Sequence, residues 1–143
     1  MHDTIARLES SRLALRVSFG LVPLLAGLDK FTYFLTDWSA YVGPITRSLL
    51  PVSPQTFLYA VGIVEVLVGL AVLTRWTRIG SYVAAGWLTL IAVNLVLAGF
   101  FDIAVRDVVL AVAAFTLARL TAVHDTAEAR VEERRGERVR RAA

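Results

Sequence analysis

Between Arg78 and Asp102 the chain runs for 23 residues, Ile79 to Phe101, without a charged side chain. A helix rises about 1.5 Å per residue, so about 20 apolar residues cross the roughly 30 Å hydrocarbon core of a bilayer. In a soluble domain such a segment would have to be wrapped by polar-faced elements. Here the remaining elements are apolar too: Leu13–Leu35, Gln55–Thr74 and Ile103–Val123 approach the same length with one to three charges each. The chain is 57% hydrophobic and 19% charged, where a soluble domain is usually about 45–50% apolar and about 25% charged. Four such segments in 143 residues leave too little polar surface to cover them, which disfavours a soluble bundle with an oversized core. The expected fold is all-α, an integral membrane four-helix transmembrane bundle.

The first apolar stretch does not read as a cleaved signal. Asp3 and Glu9 stand where a signal peptide is basic, Asp29 and Lys30 lie near the end of a long apolar run, and no small-residue cleavage site follows. It reads as a retained first helix. The basic residues are unevenly placed. Arg7, Arg12 and Arg16 precede or open helix one, Arg75 and Arg78 fill the connection between helices two and three, and Arg119 and the six arginines from Arg130 to Arg141 come late. The other connections hold only Arg47 as a basic residue. The positive-inside rule then places both ends in the cytoplasm of a multi-pass plasma (inner) membrane protein.

The expected organisation is a cytoplasmic N-terminus at 1–12, a transmembrane domain at 13–123 and a charged cytoplasmic tail at 124–143. The spans are expected at about 13–36, 55–74, 79–101 and 102–123. Pro23 falls inside the first, Ser53-Pro54 makes a natural start for the second, and Asp102 opens the fourth as a cap or first-turn acid. The outer loop, 37–54, carries Trp38, Tyr41, Val42, Ile45, Leu49 and Leu50. Two readings stay open for it: a short interfacial helix broken at Gly43-Pro44, or an irregular loop whose aromatics anchor helix one. Its length and content place Trp38 and Tyr41 across the outer end of the bundle. The tail is a mixed Glu/Arg run, with i,i+4 pairing expected for Glu137 and Arg141, and with its last arginines facing anionic lipid.

The informative residues are those that hydropathy forbids: Asp29, Lys30, Glu65, Asn94, Arg106 and Asp107. Counted at about 1.5 Å per residue, all fall at the midplane or in the outer half. An unpaired charge at the bilayer centre costs about 2.5–3.5 kcal/mol on insertion scales, so these groups are expected to face one another as a polar ligand-binding cluster. Asp102 would reach water or pair with Arg106. Pro23, Gly27 and Lys30 share a stripe on helix one, and Gly62, Glu65 and Gly69 share one on helix two. Small residues let helices approach closely, so both stripes should point inward. Trp87, Ile91, Asn94 and Ala98 line up on helix three, with Trp87 read as packing.

There is no cysteine, which excludes disulfides, CxxC redox chemistry, thiolate metal sites and c-type haem attachment. His2 and His124 both fall outside the spans, so no metal site is expected and no intrinsic cofactor is implied. Nor is there a nucleophile motif that would make the chain an enzyme by itself.

Gly27-Leu28-Asp29-Lys30-Phe31, the helix-two pattern Gly62-x-x-Glu65-x-x-x-Gly69, the proline-containing outer loop and the four-helix length together resemble the DoxX-type membrane proteins over about residues 12–123. Many members of that group carry a histidine in helix three, where this chain has Asn94. The resemblance implies an accessory subunit of a quinone-linked or other membrane redox system, with a quinone as the lipid-soluble ligand and a membrane redox complex or a homo-oligomer as partner. Two other functions fit the same residues: a structural or scaffolding bundle pinned by its ion pairs, and a small oligomeric carrier.

Overall fold

A computed structural model describes residues 2–142; Met1 and Ala143, the extremes of the expected termini, lie outside it. Among the described residues there are five α-helices and one 3-10 turn, with no strand: α1 (His2–Thr32), the turn Trp38–Tyr41, α2 (Pro44–Leu49), α3 (Pro54–Leu73), α4 (Thr77–Leu97) and α5 (Phe101–Ala142). The fifth helix relative to expectation is α2, the six-residue helix inside the loop, which starts after Gly43 with Pro44 at its first turn. Three helices hold stretches long and apolar enough to cross a membrane: Leu8–Thr32, Pro54–Leu73 and Thr77–Leu97. The apolar part of α5 is interrupted by Arg106, Asp107 and Arg119 and is not among the three.

The four long helices pack as two intimate pairs, α1 with α3 and α4 with α5, joined through α3 and α4. Phe19, Val68, Val72, Ala84, Ala114 and Leu117 form the core between the pairs. Apolar side chains such as Leu25, Ile63, Leu90 and Val112 are exposed all around this core, the pattern of helices whose outer surface meets hydrocarbon rather than water.

The helix ends are set by local chemistry. α1 stops at Thr32, four residues short of the expected end, because the Asp29 carboxylate takes the N–H groups of Phe34 and Leu35 and Tyr33 adopts a positive φ of 55°. Ser53 caps α3, its hydroxyl accepting from the N–H of Thr56 at 3.2 Å. At the other end of α3, Arg16 of α1 donates to the carbonyls of Val72, Leu73 and Thr74 at 3.2, 2.7 and 2.8 Å, satisfying groups that a helix C-terminus leaves open. α4 ends at Leu97, before the expected 101, where Gly99 takes φ 85°. α5 continues from the apolar segment into the charged tail without a break.

Candidate functional site

The site begins at a glycine contact. A Cβ on Gly27 would stand 2.6 Å from the Gly62 carbonyl oxygen, and one on Gly62 would stand 2.7 Å from the Gly27 oxygen. The α1 and α3 backbones therefore touch, which only glycine permits at both positions. Gly69 repeats the contact two turns away, where a Cβ would stand 2.6 Å from the Gly20 oxygen. Three residues beyond the Gly27–Gly62 crossing, on the same faces, stand Lys30 and Glu65. Their side chains meet across the seam, Lys30 Nζ to Glu65 Oε2 at 2.5 Å, with 4% and 9% of the side chains exposed.

The loop closes over this pair. Lys30 Nζ lies 3.7 Å from the centre of the Trp38 ring, in the geometry of a cation–π contact. The Trp38 indole N–H donates to Asp29 Oδ2 at 2.8 Å. Asp29 also accepts from the Thr32 hydroxyl at 3.0 Å and from the N–H groups of Phe34 and Leu35 at 2.9 and 3.1 Å. Asp29 thus organises the chain after α1 and holds the tryptophan that covers Lys30. Trp38 is itself seated in a turn capped by Asp37, which accepts from the N–H of Ser39 at 3.0 Å and from its hydroxyl. These bonds hold the Asp37 carboxyl below the usual range, the Ser39 hydroxyl contributing most.

The remaining expected members divide. Asp107 is buried, 6% exposed. Arg106 does not join it inside: its Nε is 3.6 Å from Asp107 Oδ1, but 67% of the side chain is exposed. Neighbours on a helix point about 100° apart, so burying Asp107 turns Arg106 outward. No Asp102–Arg106 pair is formed among the described ion pairs. Asn94 serves the loop instead of the cluster. Its Nδ2 donates to the Tyr41 carbonyl at 2.9 Å and its Oδ1 accepts from the Thr46 hydroxyl at 2.6 Å, while Gly43 abuts Ala98. Asn94 therefore ties the 3-10 turn and α2 down onto α4.

Trp87, read from the sequence as packing, turns its indole N–H toward Glu65 and finds no hydrogen-bond partner of ordinary geometry. The signal for it was the stripe it shares with Asn94. The cap formed by Arg16 was also missed; an arginine one turn inside an apolar run was the clue.

At the far end, His124 Nε2 lies 3.2 Å from Glu9 Oε2 of α1 and 3.5 Å from Glu128 Oε1. His124, Asp125 and Glu128 bring ligand atoms within 4.8 Å of one another, so the described residues include one group able to approach a metal ion. Asp125 and Glu128 are exposed, and Glu9 is held by Arg12 through both oxygens.

The DoxX family model matches residues 11–98. That is more than half of the chain, and the chain belongs to the DoxX family. The match takes in the Lys30–Glu65 pair, Trp38, Trp87 and Asn94, and ends before α5, so Arg106 and Asp107 lie outside it. No curated protein and no solved structure matches the chain.

Proposed function

We propose that this DoxX protein is an accessory subunit of a quinone-linked or other membrane redox system, receiving a lipid-soluble carbonyl ligand such as a quinone at the Lys30–Glu65 site. In this reading α5 is a fourth span, both ends are cytoplasmic and the membrane is the plasma membrane. The close packing of α5 on α4 and the arginine asymmetry support that placement.

The observation that carries the reading is the mismatch around the ion pair. Lys30 and Glu65 satisfy each other. Beside them the Trp87 N–H has no partner, and the buried Asp107 has only an outward-turned arginine. A buried polar group without a partner costs about 1–3 kcal/mol, and a purely structural pair gives no reason to keep the Trp87 N–H in that state. A ligand carbonyl would accept from the Trp87 N–H, and the hydroxyl of its reduced form would donate to Asp107. The chain supplies no electron carrier of its own in this scheme; its residues would hold the ligand and handle its protons.

The test is to purify the protein in native lipid discs, extract the lipids and identify by mass spectrometry what is retained. Retention of a quinone by the wild type and its loss in Trp87→Phe and Asp107→Asn, with thermal stability kept or raised, is the expected result. A lipid profile identical in all three would sink the reading.

A scaffolding reading is favoured by a different observation. Lys30 is enclosed between Glu65 and the Trp38 ring over a glycine seam, which is what a rigid pin between α1 and α3 requires.

A further inference from the structure

The start of α1 and the root of the tail helix meet at a histidine. His124 of α5 turns its Nε2 to Glu9 Oε2 of α1 at 3.2 Å and to Glu128 Oε1 at 3.5 Å. Its other nitrogen, Nδ1, stands 3.9 Å from Asp125 Oδ1. Glu9 and His124 lie near opposite ends of the chain, so spacing alone could not join them.

Imidazole nitrogen and carboxylate oxygen bind zinc with bonds of about 2.0–2.2 Å, which puts two ligands of a tetrahedral centre about 3.3–3.5 Å apart. The two separations at Nε2 are of that size. The supports also fit. A ligating imidazole commonly has a carboxylate beside its free nitrogen, and a ligating carboxylate is itself held by hydrogen bonds. Asp125 takes the first place, and Arg12, which donates to both oxygens of Glu9, takes the second. A carboxylate oxygen has two lone pairs, so the bond from Arg12 leaves Glu9 Oε2 one for a cation.

The charges are unequal. The ion pairs around His124 set three carboxylates, those of Glu9, Asp125 and Glu128, against the one guanidinium of Arg12. A protonated imidazole would offset half of the surplus. A divalent cation on a neutral imidazole, the ligating form, offsets all of it.

A separate observation points to the same place. Thr121 is buried, 4% exposed, and its hydroxyl has no hydrogen-bond partner among the described residues. A helical side chain lies over the turn N-terminal to its own Cα, so His124 and Asp125 lie over Thr121. A water on a cation held above it would supply that partner. The rest of the tail offers nothing similar. The described ion pairs stop at Glu128, the Glu137–Arg141 pair expected from spacing is not formed among the described residues, and no histidine follows His124.

We propose that His124 Nε2, Glu9 Oε2 and Glu128 Oε1 bind a divalent transition-metal cation of the zinc type, which ties the start of α1 to the tail helix. The imidazole selects zinc over magnesium and calcium, which take oxygen ligands.

The full chain in lipid discs, stripped with a chelator, is titrated with Zn2+ by calorimetry and its metal content measured after gel filtration. The expected result is one zinc per chain, kept in a large excess of Mg2+. Affinity should fall about 10–100-fold in Asp125→Asn and further in His124→Ala, Glu9→Gln and Glu128→Gln, and stay unchanged in Glu132→Gln/Glu133→Gln. Zinc should raise the thermal unfolding midpoint of the wild type and leave that of Glu9→Gln unmoved. Circular dichroism of His124→Ala should match the wild type, which separates a lost ligand from lost folding; the Gln and Asn variants, close in shape to the natural residues, carry the test if it does not. No uptake, uptake as tight in His124→Ala, uptake indifferent to Glu9→Gln, or displacement by Mg2+ would each overturn the proposal.

Discussion

Removing one partner of the Lys30–Glu65 pair should be far worse than removing both. The contact is direct, 2.5 Å, and the two side chains are 4% and 9% exposed, so neither charge can turn to water when its partner is lost. Breaking a buried pair from one side costs about 3–5 kcal/mol, because an uncompensated charge stays behind. Glu65→Leu strands the Lys30 ammonium with only the Trp38 ring and a long 3.5 Å approach to the Ala26 carbonyl. Lys30→Met strands the Glu65 carboxylate, 9% exposed, without its countercharge. The double variant puts methionine and leucine against each other at a seam already fixed by Gly27 and Gly62. Apolar replacement of a buried pair is often neutral or stabilising, so it should recover to within about 1–2 kcal/mol of wild type.

The coupling energy is therefore expected at about 3 kcal/mol or more, the upper end for residues in contact. Reversible unfolding in mixed micelles, titrated with a denaturing detergent, measures all four corners of the cycle. Single variants that lose less than about 1 kcal/mol, or a double variant as unstable as the sum of the singles, would refute the burial argument. Ligand retention read on the same proteins divides the functional readings. Recovered stability with the bound lipid lost marks a working site, and recovery of both marks a pin.

Other substitutions probe the supports. Gly27→Ala should destabilise by about 1–3 kcal/mol through overpacking, since the new methyl meets the Gly62 carbonyl. Gly86→Ala, where a Cβ meets nothing within 4 Å, should be neutral or stabilise by about 0.5–1 kcal/mol; thermal unfolding compares the two. Trp38→Phe keeps a ring over Lys30 but loses the bond to Asp29, so it should cost about 1–2 kcal/mol, and Trp38→Ala, which loses both, should cost more in the same assay. Asn94→Ala releases the Tyr41 carbonyl and the Thr46 hydroxyl, and should speed labelling of a cysteine placed at Ser48; an unchanged rate would mean that Asn94 does not hold the loop. Cysteines at Ser48 and Ala129 also report sidedness, and labelling of Ala129 from outside intact cells would overturn the proposed topology.

The sequence carried depth better than direction. Hydropathy and residue count place Lys30, Glu65, Asn94, Arg106 and Asp107 in one band of the bilayer, because depth depends only on the rise per residue. The glycine stripes added direction for Lys30 and Glu65, since a close crossing at Gly27 and Gly62 turns the residues three further on toward each other. On α5 the marker is a stripe of small residues, Ala104, Ala111, Ala114 and Ala118, which are buried on the same face as Asp107. Asp107 and Arg106 are adjacent in sequence and nearly equal in depth, and the packing of that alanine face on α4 turns the carboxylate inward and the guanidinium outward. Asn94 and Asp29 were obscured for another reason. Their partners are backbone groups of the loop, Tyr41 O and the N–H groups of Phe34 and Leu35, which hydropathy does not register. A polar side chain at the edge of a span has two ways to satisfy itself, another side chain or an irregular stretch of main chain. The second is favoured where a helix stops early and leaves donors open. The early end of α1 at Thr32 thus accounts for Asp29, and Asp29 in turn accounts for the tryptophan over Lys30.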